Sequence, residues 1–141
     1  MLSPKKYKFI KQHRILLNSN IKIKKNKIVF GVYGFQSKKN TYITSQQIKT
    51  IKNSILLNSK KGKIWFRIFP NNPVTSKLKG MRMGSGKGYL KLWIATIKLN
   101  QIIFEINNYI SIKNIKITIS KLPIPIKIKY KFDYENKNII T

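Results

Sequence analysis

The residues with the most chemical potential lie in one short run, Gly80-Met81-Arg82-Met83-Gly84-Ser85-Gly86-Lys87-Gly88, where glycines are interleaved with a hydroxyl and two cations. Backbone amides in such a run can wrap phosphate, so the first question is whether it is a nucleotide-binding loop. A P-loop needs Gly, four residues, then Gly-Lys-Ser/Thr, with the hydroxyl holding magnesium. Counting back from Gly86-Lys87 puts Met81 where the first glycine belongs, and Gly88 stands where the hydroxyl belongs. The dinucleotide fingerprint fails too, because the glycines at 84, 86 and 88 precede a strand pattern and not a helix. No acid lies nearby to hold magnesium or act as a general base. What remains is a flexible cationic finger, in which glycines allow close backbone approach while Arg82 and Lys87 suit phosphate and ribose. A solvated hairpin loop is the plainer reading of the same residues.

Composition points to the kind of phosphate. Thirty Lys and Arg stand against three acids, Glu105, Asp133 and Glu135, for a formal charge of +27 over 141 residues. Self-repulsion on that scale opposes a compact state unless a polyanion neutralises it, and nucleic acid does so by exchanging counterions for Lys and Arg. Lys, Ile and Asn supply 27, 26 and 14 residues, a bias expected of an AT-rich genome such as many organelles carry. Cysteine is absent, and with one histidine and three acids a metal site or cofactor-dependent catalysis has almost no material. We therefore expect no cofactor and no enzyme activity. No uncharged run exceeds about ten residues, short of the ~20 needed for a membrane span.

The segments on either side of the finger form an α+β pattern. Ile28 to Phe35 is a β-branched and aromatic strand interrupted by two glycines, as at a bend or bulge. Thr44 and Gln47 form a capping pair ahead of Ile48, Ile51 and Ile55, which predicts a helix from Ser45 to Leu57. Lys63 to Phe69 is a strand stopped by Pro70-Asn-Asn-Pro73. Tyr89 to Ile97 is another, expected to pair with Ile102 to Ile106 through a turn at 99–101. The isoleucines of 109–122 fit either a helical stripe or strand alternation; Ser111 as a cap and Pro123 and Pro125 as a stop favour a second helix. Ile126 to Phe132 alternates strictly, a strand with one wet, cationic face. The expected fold is a mainly antiparallel sheet with two helices packed on it, a basic N-terminal arm and a glycine-rich loop. Its divisions are an arm, 1–27, a domain, 28–132, with its loop at 78–88, and a tail, 133–141.

The block Gly62 to Lys77, "GKIWFRIFPNNPVTSK", followed by Arg82-Met-Gly-Ser-Gly-Lys-Gly88 and Trp93-Ile-Ala95, resembles the bacterial-type large-subunit ribosomal protein sixteen family. Leu2-x-Pro4-Lys5, Lys8-Phe9, Lys11-x-His13 and Lys121-Leu-Pro-Ile124 extend the resemblance over most of the chain. It implies a compact α+β ribosomal protein that binds ribosomal RNA, joins late in large-subunit assembly near the central protuberance, and contacts neighbouring large-subunit proteins. Carried over, Lys5, Lys6, Lys8, Lys11, His13 and Arg14 are the arm on ribosomal RNA. Arg82, Met83, Gly84, Ser85, Gly86, Lys87 and Gly88 are the finger facing tRNA near the peptidyl-transferase region. Two departures remove positive charge: Ile15-Leu16-Leu17 stands where the family continues a basic stretch, and Ser85 where lysine is frequent. An independent nucleic-acid-binding regulator or packaging protein is the alternative.

Arginine is scarce, at 14, 67 and 82 only, and its planar fork grips phosphate as lysine cannot. Arg14 and Arg82 are expected at demanding RNA contacts, whereas Arg67, sharing a strand face with Trp65 and Phe69, suits packing and RNA contact equally. Trp65 and Trp93 are expected in the core. Lys127, Lys129 and Lys131 suit RNA contact or a solvated edge. Family-like residues from Leu2 onward, AT-driven composition and divergence suggest synthesis in an organelle, a mitochondrion before a plastid or an AT-rich bacterium.

Overall fold

A computed structural model of the chain describes residues 2–17, 27–58, 62–84, 86–107 and 123–131, together with Asn114, Ile117, Ile119 and Ser120. The elements complete among the described residues are β1 (Tyr33–Ser37), β2 (Thr41–Thr44), α1 (Ser45–Asn58), β3 (Ile64–Phe66), β4 (Asn72–Ser76), β5 (Tyr89–Ile97), β6 (Ile102–Ile106) and β7 (Ile126–Tyr130). They form two antiparallel sheets, one in the order β3-β6-β1-β7 and one in the order β2-β5-β4.

Apolar alternation explains where the core sits. Phe35 of β1 pairs with Phe104 of β6, their rings stacked 4.2 Å apart, and both side chains are buried. Ile43, Ala95 and Ile97 of the smaller sheet join them, and Ile48, Ile51 and Ile55 close the cluster from α1. The capping pair forms as its residues demand: Gln47 Oε1 accepts from the Thr44 amide at 2.9 Å, and Thr44 Oγ1 accepts from the Gln47 amide at 3.2 Å.

The fold corrects several expectations. There are two sheets where one was expected. One helix is described from end to end where two were expected; of the second, at 109–122, the described residues Asn114, Ile117, Ile119 and Ser120 are helical, and the rest, with Ser111, lies outside the described residues, as do 18–26 and the expected tail, 133–141. The turn at 99–101 carries the chain from β5 in one sheet to β6 in the other, with Asn100 at φ 64°, so β5 and β6 do not pair. Asn72 to Ser76 is a strand and not only a stop. Pro73 is tolerated because β4 is an edge strand, where a missing N–H need not interrupt a ladder. Finally, β1 begins at Tyr33 and not at Ile28, because the amides of Val29, Phe30 and Gly31 are held by a carboxylate described below.

Candidate nucleic-acid interface

The glycine finger is the connection of the β4–β5 hairpin, projecting beyond the pair Ser76↔Tyr89. Two glycines have separate reasons to be there. Gly86 takes φ +72°, a conformation that strains any other residue. At Gly88 a Cβ would lie 2.4 Å from the carbonyl of Ser76, so only glycine lets the two arms of the hairpin neck close. Lys77 Nζ donates to the carbonyl of Gly84, tying the loop to its own base. Arg82, Met83 and Lys87 are exposed; Ser85 lies outside the described residues.

The N-terminal arm has neither helix nor strand over residues 2–17, yet it is seated on the hairpin. Tyr7 meets buried Trp93 edge-on at 5.0 Å. Lys11 Nζ donates to the carbonyl of Lys87 at 3.0 Å, while Lys87 Nζ donates back to the carbonyl of Gln12. Lys11 also lies over the ring of Tyr89, 5.7 Å from its centroid. Further along, Arg14 lies over Tyr42 at 4.8 Å, and the Tyr42 hydroxyl donates to the carbonyl of Ile15. Lys8 sits over the ring of Phe9 at 5.5 Å, and Lys5, Lys6, Lys8 and His13 are exposed. Arm and finger, distant in sequence, are thus one continuous surface. Lys11, Lys77, Arg82, Lys87 and Tyr89 line a recess of about 300 Å³ between them.

No described carboxylate offsets this charge from outside. Glu105, the only acid among the described residues, is fully buried in β6 and accepts from the amides of Val29, Phe30 and Gly31 at 3.1, 2.7 and 2.9 Å. Arg67 Nη1 donates to it at 2.8 Å and to the carbonyl of Lys27 at 2.7 Å. Burial acts to raise the carboxyl's pKa, but the hydrogen bonds from Gly31, Phe30, Arg67 and Val29 outweigh it, leaving the group below its ordinary value. Arg67 Nη1 is therefore engaged in an internal ion pair, a role that neither of its two expected readings, a packed stem or RNA contact, named.

Sequence reasoning overlooked Glu105 as well as Tyr42 and Tyr89, the rings beneath Arg14 and Lys11. The signal for Glu105 was present: an acid inside Ile-Ile-Phe-Glu-Ile must bring its own partners into the core. Trp93 is buried as expected, whereas Trp65 is half-buried under Phe30, ring centroids 6.2 Å apart. Among the described residues, no helix is long and apolar enough to cross a membrane.

Comparison with known proteins agrees with this geometry. The family model described as ribosomal protein L16p/L10e matches residues 4–129. A large ribosomal subunit protein uL16c from Cyanidium caldarium is 43% identical over 128 residues, covering 88% of this chain and 91% of the relative. The proteins of the same name from Aethionema cordifolium and Spinacia oleracea are 43% and 41% identical, each match covering 88% of this chain and 94% of the relative. These relatives carry the plastid designation, so the mitochondrial expectation finds no support in them. AT-driven composition does not separate one organelle from another, and identity at this level is less divergence than the altered arm suggested.

Proposed function

The chain belongs to the ribosomal protein L16p/L10e family and is a structural constituent of the large ribosomal subunit, not an enzyme, and from this we propose how its two cationic segments divide the work. The arm residues Lys5, Lys6, Lys8, Lys11, His13 and Arg14 bind large-subunit ribosomal RNA. The finger, Arg82 to Gly88, reaches toward tRNA and the peptidyl-transferase region, and other parts of the surface meet neighbouring large-subunit proteins. The setting is the ribosome of a plastid, as the names of the relatives suggest.

One observation carries this reading: the reciprocal hydrogen bonds between Lys11 and Lys87 and between Lys87 and Gln12 join arm and finger into a single surface without a described acid. Such a surface accepts a continuous polyanion. Arg14 over Tyr42 and Lys11 over Tyr89 hold cations in preset positions, lowering the entropy lost when phosphate binds.

The test is incorporation. A tagged chain with Lys8→Gln and Lys11→Gln is expressed beside the unaltered one, and large subunits are isolated by sedimentation at high salt. We expect the unaltered chain to remain with the subunit and the variant to be depleted severalfold. Equal retention of both would overturn the arm's assignment, and loss of the unaltered chain at moderate salt would favour an independent nucleic-acid-binding protein.

A further inference from the structure

The face of the larger sheet that points away from the core carries a second set of groups with the chemistry of nucleic-acid recognition. Ile126 and Ile128 of β7 pack on the core, so the intervening Lys127 and Lys129 lie on the opposite face, and Lys131 continues the series; all three are exposed. Because β7 is an edge strand, this series forms a rail along the rim of the sheet, with a repeat of about 7 Å between alternate residues. That repeat is comparable to one step of a nucleic-acid backbone.

The same face holds an aromatic platform. Residues 28–31 lie flat across it: Ile28 covers Gly34 so closely that a Cβ there would be 2.8 Å from Ile28 Cγ1, and the next three amides are fixed on Glu105 of β6. The backbone of Phe30 is thereby fixed. It stacks on Trp65 with rings 21° from parallel, yet remains 57% exposed. One face of the ring packs on Trp65 and the other is open to solvent. Since Trp65 stands on β3, at the opposite edge of the sheet from β7, rail and platform are three strand spacings apart, about 14 Å, a span that the long lysine side chains and an extended nucleotide bridge together.

We infer that this face is a second RNA-binding surface, which takes a single-stranded segment with phosphates along Lys127, Lys129 and Lys131 and a base on Phe30. A single strand fits better than a duplex, because only unstacked bases can lie on an aromatic ring. The inference rests on the reading that RNA is the partner, but not on the arm or the finger. The residues are distinct from both segments, and the sealed carboxylate beneath Phe30 presents no charge to repel phosphate.

The test uses the full chain and a fluorescent single-stranded RNA oligonucleotide, titrated over a salt series. Lys127→Gln with Lys131→Gln should weaken binding roughly tenfold or more and reduce the slope of log affinity against log salt by about 1.4. Phe30→Leu, which keeps apolar cover but loses the ring, should weaken it roughly tenfold, and Phe30→Tyr should restore it. A duplex of the same sequence should not respond to either change at position 30. If the rail and ring variants bind as the unaltered chain does while Lys8→Gln with Lys11→Gln weakens binding, this face is a solvated rim; the inference fails and the arm's role stands. If neither set weakens binding, the RNA reading fails with it.

Discussion

Replacing Glu105 by Gln preserves the shape of a buried side chain and removes its charge. The carboxylate accepts from three amides and the Arg67 guanidinium, and hydrogen bonds to a charged group contribute about 1.5–3 kcal/mol each before the cost of burial. Arg67 is a quarter exposed and can turn toward water, so no charge is stranded, but the glutamine nitrogen opposes donors where an acceptor was. Leaving buried donors opposed to that nitrogen costs about 3 kcal/mol, or roughly 10 °C in melting temperature for a domain of this size. The pH dependence makes the test specific. The folded carboxyl lies below its ordinary value of 4.5, so its contribution is fully present above that value and is lost as pH falls through the folded value. Asp133 and Glu135 are common to both proteins and cancel in the difference. Melting followed by circular dichroism from pH 7 to pH 3, in salt sufficient to screen self-repulsion, should show a gap that closes in acid. A variant as stable as the unaltered chain at pH 7, or a gap that persists unchanged to pH 3, would refute the reasoning.

Arg82→Ala and Gly86→Val should both enter large subunits and slow peptide synthesis, the glycine change more, because φ +72° is closed to valine; normal translation by subunits carrying them would show the loop to be a mere connection. Lys87→Gln loses the charge that reaches the Gln12 carbonyl, and hydrogen exchange should then rise in residues 7–14 while β1 and β6 keep their protection. Thr44→Ala removes half of the capping pair and should cost about 1 kcal/mol, read from chemical denaturation, without altering RNA affinity.

What was legible in the sequence followed from local rules. The helix of Ser45–Asn58 is set by Thr44, Gln47 and an isoleucine stripe, all within a few residues, and β7 by strict alternation. Decisions made at long range were not legible. Pro73 signals a stop unless one knows that β4 lies at an edge. Leu99-Asn100-Gln101 signals a reversal but not that the chain changes sheets. For the site, residue types pointed to phosphate and the family resemblance supplied the division into arm and finger, but nothing local shows that Lys11 and Lys87 meet. Glu105 is one of three acids in a basic chain, so its type signals charge; that it is a buried group requiring partners follows only from its place inside an apolar strand.

The contacts that seat the start of the chain have a consequence in time. Lys87 is 76 residues beyond Lys11, and Glu105 is 76 beyond Val29. A ribosome adding about 5–20 residues per second needs roughly 4–15 s to cover that distance. During that interval the arm has been made but its clasp has not, and the amides of 29–31 await their carboxylate. The nascent chain is then a bare polycation beside an RNA machine. The arm therefore has no seat of its own until β5 has been made, and residues 29–31 have none until β6 has.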